Sequence, residues 1–170
     1  IISLTGSCGK TTVKEMIVTL LSGKKVHFTQ GNLNNYLGVP MTILEMSQDV
    51  DFAVVEAGTN IGGEIKAAAD IIQPDIAMIT NVGASHLENL KTLDGVMMEK
   101  VELLKSLPKD GYCIVNLDDE RIPTYVDMLS CNKITCSKSN KSADILLLDY
   151  QVSSEYYDVK VRIFDRKYTY

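Results

Sequence analysis

With 170 residues, 45% of them hydrophobic and 23% charged, the chain has the composition of one soluble globular domain with a sizeable core. A formal net charge of −5 excludes the basic footprint that nucleic acid or an anionic membrane surface requires, and no apolar run approaches the ~18 residues of a membrane span. Cys8, Cys113, Cys131 and Cys136 follow neither zinc-ligand spacing nor the density of a secreted disulfide scaffold, so reduced thiols in a cytoplasmic setting are expected.

The apolar run 1–4 reads as a buried strand. It leads into Thr5-Gly6-Ser7-Cys8-Gly9-Lys10-Thr11-Thr12 and then a helix on which Val13, Met16, Ile17, Leu20 and Leu21 recur at helical spacing until Ser22-Gly23. A weaker strand at 25–29, a loop over 30–38 and a short helix from about Pro40 follow, proline suiting a first turn. Residues 52–55 form a second apolar run ending in Glu56, and Gly62-Gly63 opens a helix over 64–72 that Pro74 terminates. The alternation continues with strand 76–80, a long helix 93–107 closed by Pro108 and Asp110-Gly111, strand 112–115, helix 119–129 and strand 134–136. Beyond Ser142 the texture changes. Segments 145–152, 156–164 and 167–170 are rich in β-branched and aromatic residues, with turns expected at Ser153-Ser154 and Asp165-Arg166.

This order predicts an α/β fold: a doubly wound, mostly parallel sheet over 1–141, joined to a C-terminal antiparallel β meander over 142–170. Ligands of such sheets sit at the carboxyl ends of the strands, where the glycine loop after Leu4, Glu56 after Val55 and Asn81 after Thr80 all fall. The chain begins inside a strand without methionine and ends in another at Tyr170, so it is expected to be part of a longer protein, incomplete at its C-terminal end.

Glycines let the loop of Gly6, Ser7, Cys8 and Gly9 curl its N–H groups toward an anion, and the helix that starts there adds its positive end, so phosphate is the natural guest. Lys10 would reach terminal phosphate oxygens, and the Thr11 hydroxyl suits a magnesium ion bridging them. The spacing departs from G-x-x-x-x-G-K-T, because Leu4 stands where the first glycine belongs; an ordinary glycine turn before a helix is the plainer reading. Glu56 suits oxygen coordination of the same magnesium, or else a solvated strand end. Lys100 lies inside the apolar stripe of Val96, Met97, Leu103 and Leu104, with Glu99, Glu102 and Lys105 expected on other faces. Two readings fit it: a stem that snorkels to water, or a desolvated amine of lowered pKa that reacts with carbon dioxide to give a carbamate. His86, in a loop beyond a strand end, reads as a surface side chain or as a group approaching the same site. Asn32, Asn34 and Asn35 fill a loop between Gly31 and Gly38 that suits hydrogen bonding to itself or to a polar ligand. His27 is given no role.

Taken together, the glycine loop, Gly31-Asn32-Leu33-Asn34-Asn35 through Gly38-Val39-Pro40-Met41-Thr42, Glu56-Ala57-Gly58, Gly63-Glu64-Ile65 and Asn81 through His86-Leu87-Glu88 resemble the central ATPase domain of the Mur ligases over about residues 2–107. The shortened glycine loop is the form that family uses. The asparagine-rich segment is most similar to the branch that adds D-alanyl-D-alanine to a UDP-N-acetylmuramoyl peptide in peptidoglycan synthesis. Two positions depart from that branch's wording: no histidine follows Asn60, and Met97-Met98 replaces an expected Ala-Lys pair. The resemblance implies a sheet of the P-loop NTPase type and an ATP-dependent ligase that activates a substrate carboxylate as an acyl phosphate for attack by an amine. It implies nucleotide binding by Gly6, Ser7, Cys8, Gly9, Lys10, Thr11 and Thr12. Thr11 and Glu56 would hold one Mg2+, and His86 with carbamylated Lys100 a second. Asn32, Asn34, Asn35 and Asn81 would lie near substrate, and N- and C-terminal domains of the parent chain would complete the site. Another Mur-type or folylpolyglutamate synthetase-like ligase would share these motifs. An ATP-hydrolysing binding module that makes no bond would need neither a buried Lys100 nor His86 near the γ-phosphate.

Overall fold

The structure, a computed structural model, describes residues 1–153 and 156–170. In chain order the elements are β1 (Ile2–Thr5), α1 (Lys10–Leu20), β2 (Val26–Phe28), α2 (Gly38–Leu44), β3 (Phe52–Glu56), α3 (Glu64–Ile72) and β4 (Ile76–Ile79). There follow α4 (Leu87–Leu90), α5 (Leu93–Lys105), β5 (Tyr112–Asn116), α6 (Ile122–Val126), β6 (Asn132–Ser137), β7 (Ile145–Val152), β8 (Tyr157–Ile163) and β9 (Arg166–Thr169). The strands form one nine-stranded sheet in the order β2-β3-β1-β4-β5-β6-β7-β8-β9.

Every pairing from β2 to β7 is parallel, and β7-β8-β9 is antiparallel. The meander is therefore continuous with the parallel sheet. Cys136 and Ser137 pair in parallel with Ile145 and Leu146, while Asp144, at the start of that strand, accepts hydrogen bonds from the Thr135 N–H at 2.8 Å and hydroxyl at 2.7 Å. Those two bonds hold the Asp144 carboxyl below the usual carboxylate range. The expected turn at Ser153-Ser154 falls partly outside the described residues.

Strands β1 and β3 are buried on both faces, as central parallel strands must be, and their Leu4, Val54 and Val55 are inaccessible to solvent. Helices α2, α3, α5 and α6 pack in succession against one another and the sheet, whereas α1 packs on β1, β2 and β3. At the opposite extreme β9, an edge strand, is exposed throughout.

Two expectations need correction. The buried side of α1 is not the whole apolar stripe: Met16 is 60% and Leu20 75% exposed, while Lys14 is fully buried. Met16 and Leu20 lie on a face of α1 turned away from the sheet, and the buried lysine on another face is accommodated by its bond to a backbone carbonyl. The helix expected over 119–129 is reduced to α6, with Pro123 in its first turn, and the short α4 was not expected. No helix among the described residues is long and apolar enough to cross a membrane.

Candidate functional site

Three strand ends converge. The loop between β1 and α1 is the hub, and its path admits only glycine at Gly6, where a Cβ would lie 1.9 Å from the Thr80 hydroxyl oxygen. Gly9, at φ 77°, turns the chain into α1 in a left-handed conformation natural to glycine. No side chain caps that helix start and no acidic residue lies in its first turn, so its N–H groups and dipole stay open to an anion. Lys10 folds back so that its ammonium donates to the Gly6 carbonyl at 2.9 Å, resting on the rim of the same loop.

A second loop clasps the first. Ser7 N–H donates to the Asn81 carbonyl, and the Asn81 carboxamide both accepts from Cys8 N–H at 3.0 Å and donates to the Cys8 carbonyl at 2.9 Å. The Ser7 hydroxyl bonds Gly83 and Ser85, and the Thr80 hydroxyl donates to the Cys8 carbonyl at 2.7 Å. Asn81 thus spends its side chain on holding the glycine loop.

Glu56, at the end of β3, is fully buried and closes the third side. Its carboxylate accepts from the Thr11 hydroxyl at 3.0 Å and from the Asn34 carboxamide at 2.6 Å, while its N–H donates to the Thr29 hydroxyl at 2.9 Å. Oxygen donors from Thr11 and Glu56 meeting beside an uncapped helix start fit a hard divalent cation bridging to phosphate. Asn35 caps the start of α2, its side-chain oxygen accepting from Leu37 and Gly38, and Asn32 is exposed.

Lys100 is 2% exposed, and among the described residues its amine has no hydrogen-bond or ion-pair partner. Burial first, then the charge of Lys10, pulls its pKa down to about 8, against smaller opposing pulls from Glu99 and Cys8. The Lys10 and Cys8 effects mark its closeness to the glycine loop. A bare ammonium repels cations, so Lys100 fits a metal only as a carbamate. His86 is exposed in a left-handed conformation at φ 55°, and its imidazole bonds nothing among the described residues. Ser7 ties the His86 loop to the glycine loop through Gly83 and Ser85, and among the described residues no hydrogen bond joins the imidazole to Lys100 or Glu56. Among the described residues no three His, Cys, Asp or Glu side chains gather as a metal cluster.

Three working residues were not singled out from the sequence. Glu99, expected on an outer face of α5, is 6% exposed and accepts from the N–H groups of Gly63 at 2.7 Å and Ile65 at 2.8 Å, capping α3 from a neighbouring helix. Asp119 accepts from Val82 N–H at 2.7 Å and from Arg121 N–H at 3.0 Å, tying the start of α6 to the His86 loop. Lys14 is the third. Only the Asp119-Glu120-Arg121 run before α6 carried a local signal, that of a helix-start acid.

Residues 4–169 match the profile of the Mur ligase middle domain. The chain belongs to the Mur ligase family. The UDP-N-acetylmuramoyl-tripeptide--D-alanyl-D-alanine ligase of Escherichia coli is 40% identical to this Mur ligase domain over 136 residues, which are 79% of the chain and 30% of that enzyme. MurF from Acinetobacter baumannii superposes with a TM-score of 0.90 at 32% identity, covering 99% of the chain and 37% of that structure. MurF from Thermotoga maritima, solved in complex with ADP, superposes with a TM-score of 0.88 at 30% identity, covering 99% of the chain and 39% of that structure. The Mur ligase domain therefore spans between 30% and 39% of the length of these relatives.

Proposed function

We propose that this chain is the central nucleotide-binding domain of a cytoplasmic ATP-dependent ligase that joins D-alanyl-D-alanine to a UDP-N-acetylmuramoyl tripeptide. The observation that carries the reading is the buried Glu56 carboxylate bonded to Thr11 at the foot of an uncapped, glycine-led helix. The names of the relatives support the substrate pair, and the ADP complex supports the nucleotide. In that reaction the peptide carboxylate takes the γ-phosphoryl group of ATP, ADP leaves, and the amine then displaces phosphate to form the amide.

Within it, the N–H groups of the loop from Gly6 to Thr12 cradle the phosphates, and Lys10 swings from the Gly6 carbonyl to a terminal phosphate oxygen. Thr11 and Glu56 would hold one magnesium ion, and His86 with a carbamate on Lys100 a second; when bound, these ions offset the repulsion between carboxylate and phosphate. Lys100 suits the modification. With a pKa near 8, about one amine in ten is neutral at pH 7, and the neutral form is the one that attacks carbon dioxide. Asn34, Asn32 and Asn35 line the approach for substrate, with Asn81 keeping the loop in shape. The remainder of each substrate site belongs to flanking domains of the parent protein.

The test is phosphate release by the full-length ligase. It should require the UDP-linked tripeptide and D-alanyl-D-alanine together, and release with a single amino acid in place of the dipeptide would overturn the substrate assignment. Lys100→Ala should abolish release, unrestored by bicarbonate; wild-type turnover in that variant removes the carbamate role.

A further inference from the structure

Lys14 stands one helical turn beyond Lys10 on α1 and is fully buried, although burying an ammonium is costly unless something offsets it. Its amine donates to the Thr29 carbonyl at 2.6 Å, lies 2.9 Å from a carboxylate oxygen of Glu15, a half-exposed residue, and sits 5.7 Å from the centre of the Phe28 ring. Thr29 in turn is fully buried: its N–H donates to Val54, and its hydroxyl accepts the Glu56 N–H at 2.9 Å. From Glu56 the path returns to α1 through Thr11, and branches to the asparagine loop through Asn34. The circuit is closed. Two side chains on one face of α1 reach Glu56, Thr11 directly at its carboxylate and Lys14 at one remove, through Thr29, whose hydroxyl holds the Glu56 N–H.

An apolar residue would fill the Lys14 position without the desolvation cost, so what the ammonium adds is a fixed bond to the end of β2. We propose that Lys14 is a positioning residue for Glu56: anchored on Thr29, it holds the strand ends so that the Glu56 carboxylate faces Thr11 in the orientation a divalent cation needs. Groups that orient a metal-binding carboxylate typically matter by about 10–100-fold in metal affinity. The inference rests on the ligase reading, which supplies the metal and the nucleotide. It adds a residue that touches neither.

The experiment is metal binding to the full-length protein, read by the electron paramagnetic resonance of Mn2+ in the presence of a non-hydrolysable ATP analogue. A parallel titration with ADP contains no metal. In Lys14→Met the Mn2+ dissociation constant should rise by about 10–100-fold while metal-free ADP affinity stays within about twofold of wild type. Lys14→Gln, which keeps an N–H donor without the charge, should recover part of the loss, and Glu15→Gln should leave both constants unchanged. An equal fall in Mn2+ and metal-free ADP binding would overturn the proposal, since it marks a general disturbance of α1. So would an unchanged Mn2+ constant, or unfolding of both Lys14 variants at 25 °C, which marks a residue that holds the fold. Wild-type protein that binds no Mn2+ with the nucleotide would sink the ligase reading itself, whereas a wild-type constant in Lys14→Met sinks this inference alone.

Discussion

The two ends of the sheet use the same backbone geometry for opposite purposes. Around β3, β1 and β4 the strands are buried, and the loops that leave them bind one another across long stretches of sequence, as Cys8 does with Asn81 and Thr11 with Glu56. Most of β7 and all of β9 are exposed and β8 is half-buried, and the side-chain bonds there span shorter stretches of sequence, as between Lys160 and Asp149, Ser153 and Tyr156, and Arg162 and Ala143. Parallel strands send every carboxyl end to the same edge, so distant loops are forced together there, whereas a meander alternates direction and scatters its loops. Chemistry concentrates where connectivity leaves it no room to spread.

The sharpest way to break this comparison is a matched pair of lysine substitutions in the full-length protein, assayed for the proposed ligation. Lys10→Ala should lower turnover by about 10²–10³-fold with the fold intact, while Lys160→Ala, which loses only an exposed pair with Asp149, should leave it within about twofold. Turnover assays with circular dichroism as the folding control decide it; equal effects would erase the division. Next in size is the packing contrast. Leu4→Ala, in fully buried β1, should cost about 2–5 kcal/mol in urea unfolding, and Leu148→Ala, 43% exposed in β7, about 0.5 kcal/mol or less.

The smallest effect concerns Lys100 and is a stabilisation. Its folded pKa, about 8, lies below the ordinary value of 10.5, so folding disfavours its cation. Above pH 10.5 the amine is neutral in both states and no penalty exists. As pH falls from 10.5 to 8 the unfolded chain takes up the proton first and the penalty grows, reaching its full value, roughly 3 kcal/mol, below pH 8. Lys100→Met should therefore raise stability at pH 7 by about 1–3 kcal/mol, and the gain should shrink toward pH 10. A gain that does not vary with pH would show that the amine carries no such penalty.

Much of the parallel half was legible beforehand. Hydrophobic runs of four or five residues ending at Gly6, Glu56 and Asn81, with helices between them, are the pattern of a parallel sheet, and the observed strands fall on those runs. The contacts of the glycine loop with the two strand ends, Thr11 with Glu56 and Cys8 with Asn81, followed from the same rule. What was not legible is which charged residues go inside. Lys14 and Glu99 look like surface positions because their stabilising partners, the Thr29 carbonyl and the N–H groups of Gly63 and Ile65, are backbone atoms of other elements. Backbone polar groups are the same at every residue, so no periodicity announces them. Met16 and Leu20 mislead for the converse reason, being apolar residues that the packing of α1 leaves outside.

The open sheet has one more consequence, which concerns crowding rather than catalysis. A long row of unpaired amides invites a second molecule to zip on and start a fibre. Here the rims are β2, three residues long, and β9, four residues long and carrying Arg166 and Lys167. A newcomer would gain only a handful of bonds on either rim, so the breadth of the sheet is not matched by a long edge for another strand to join.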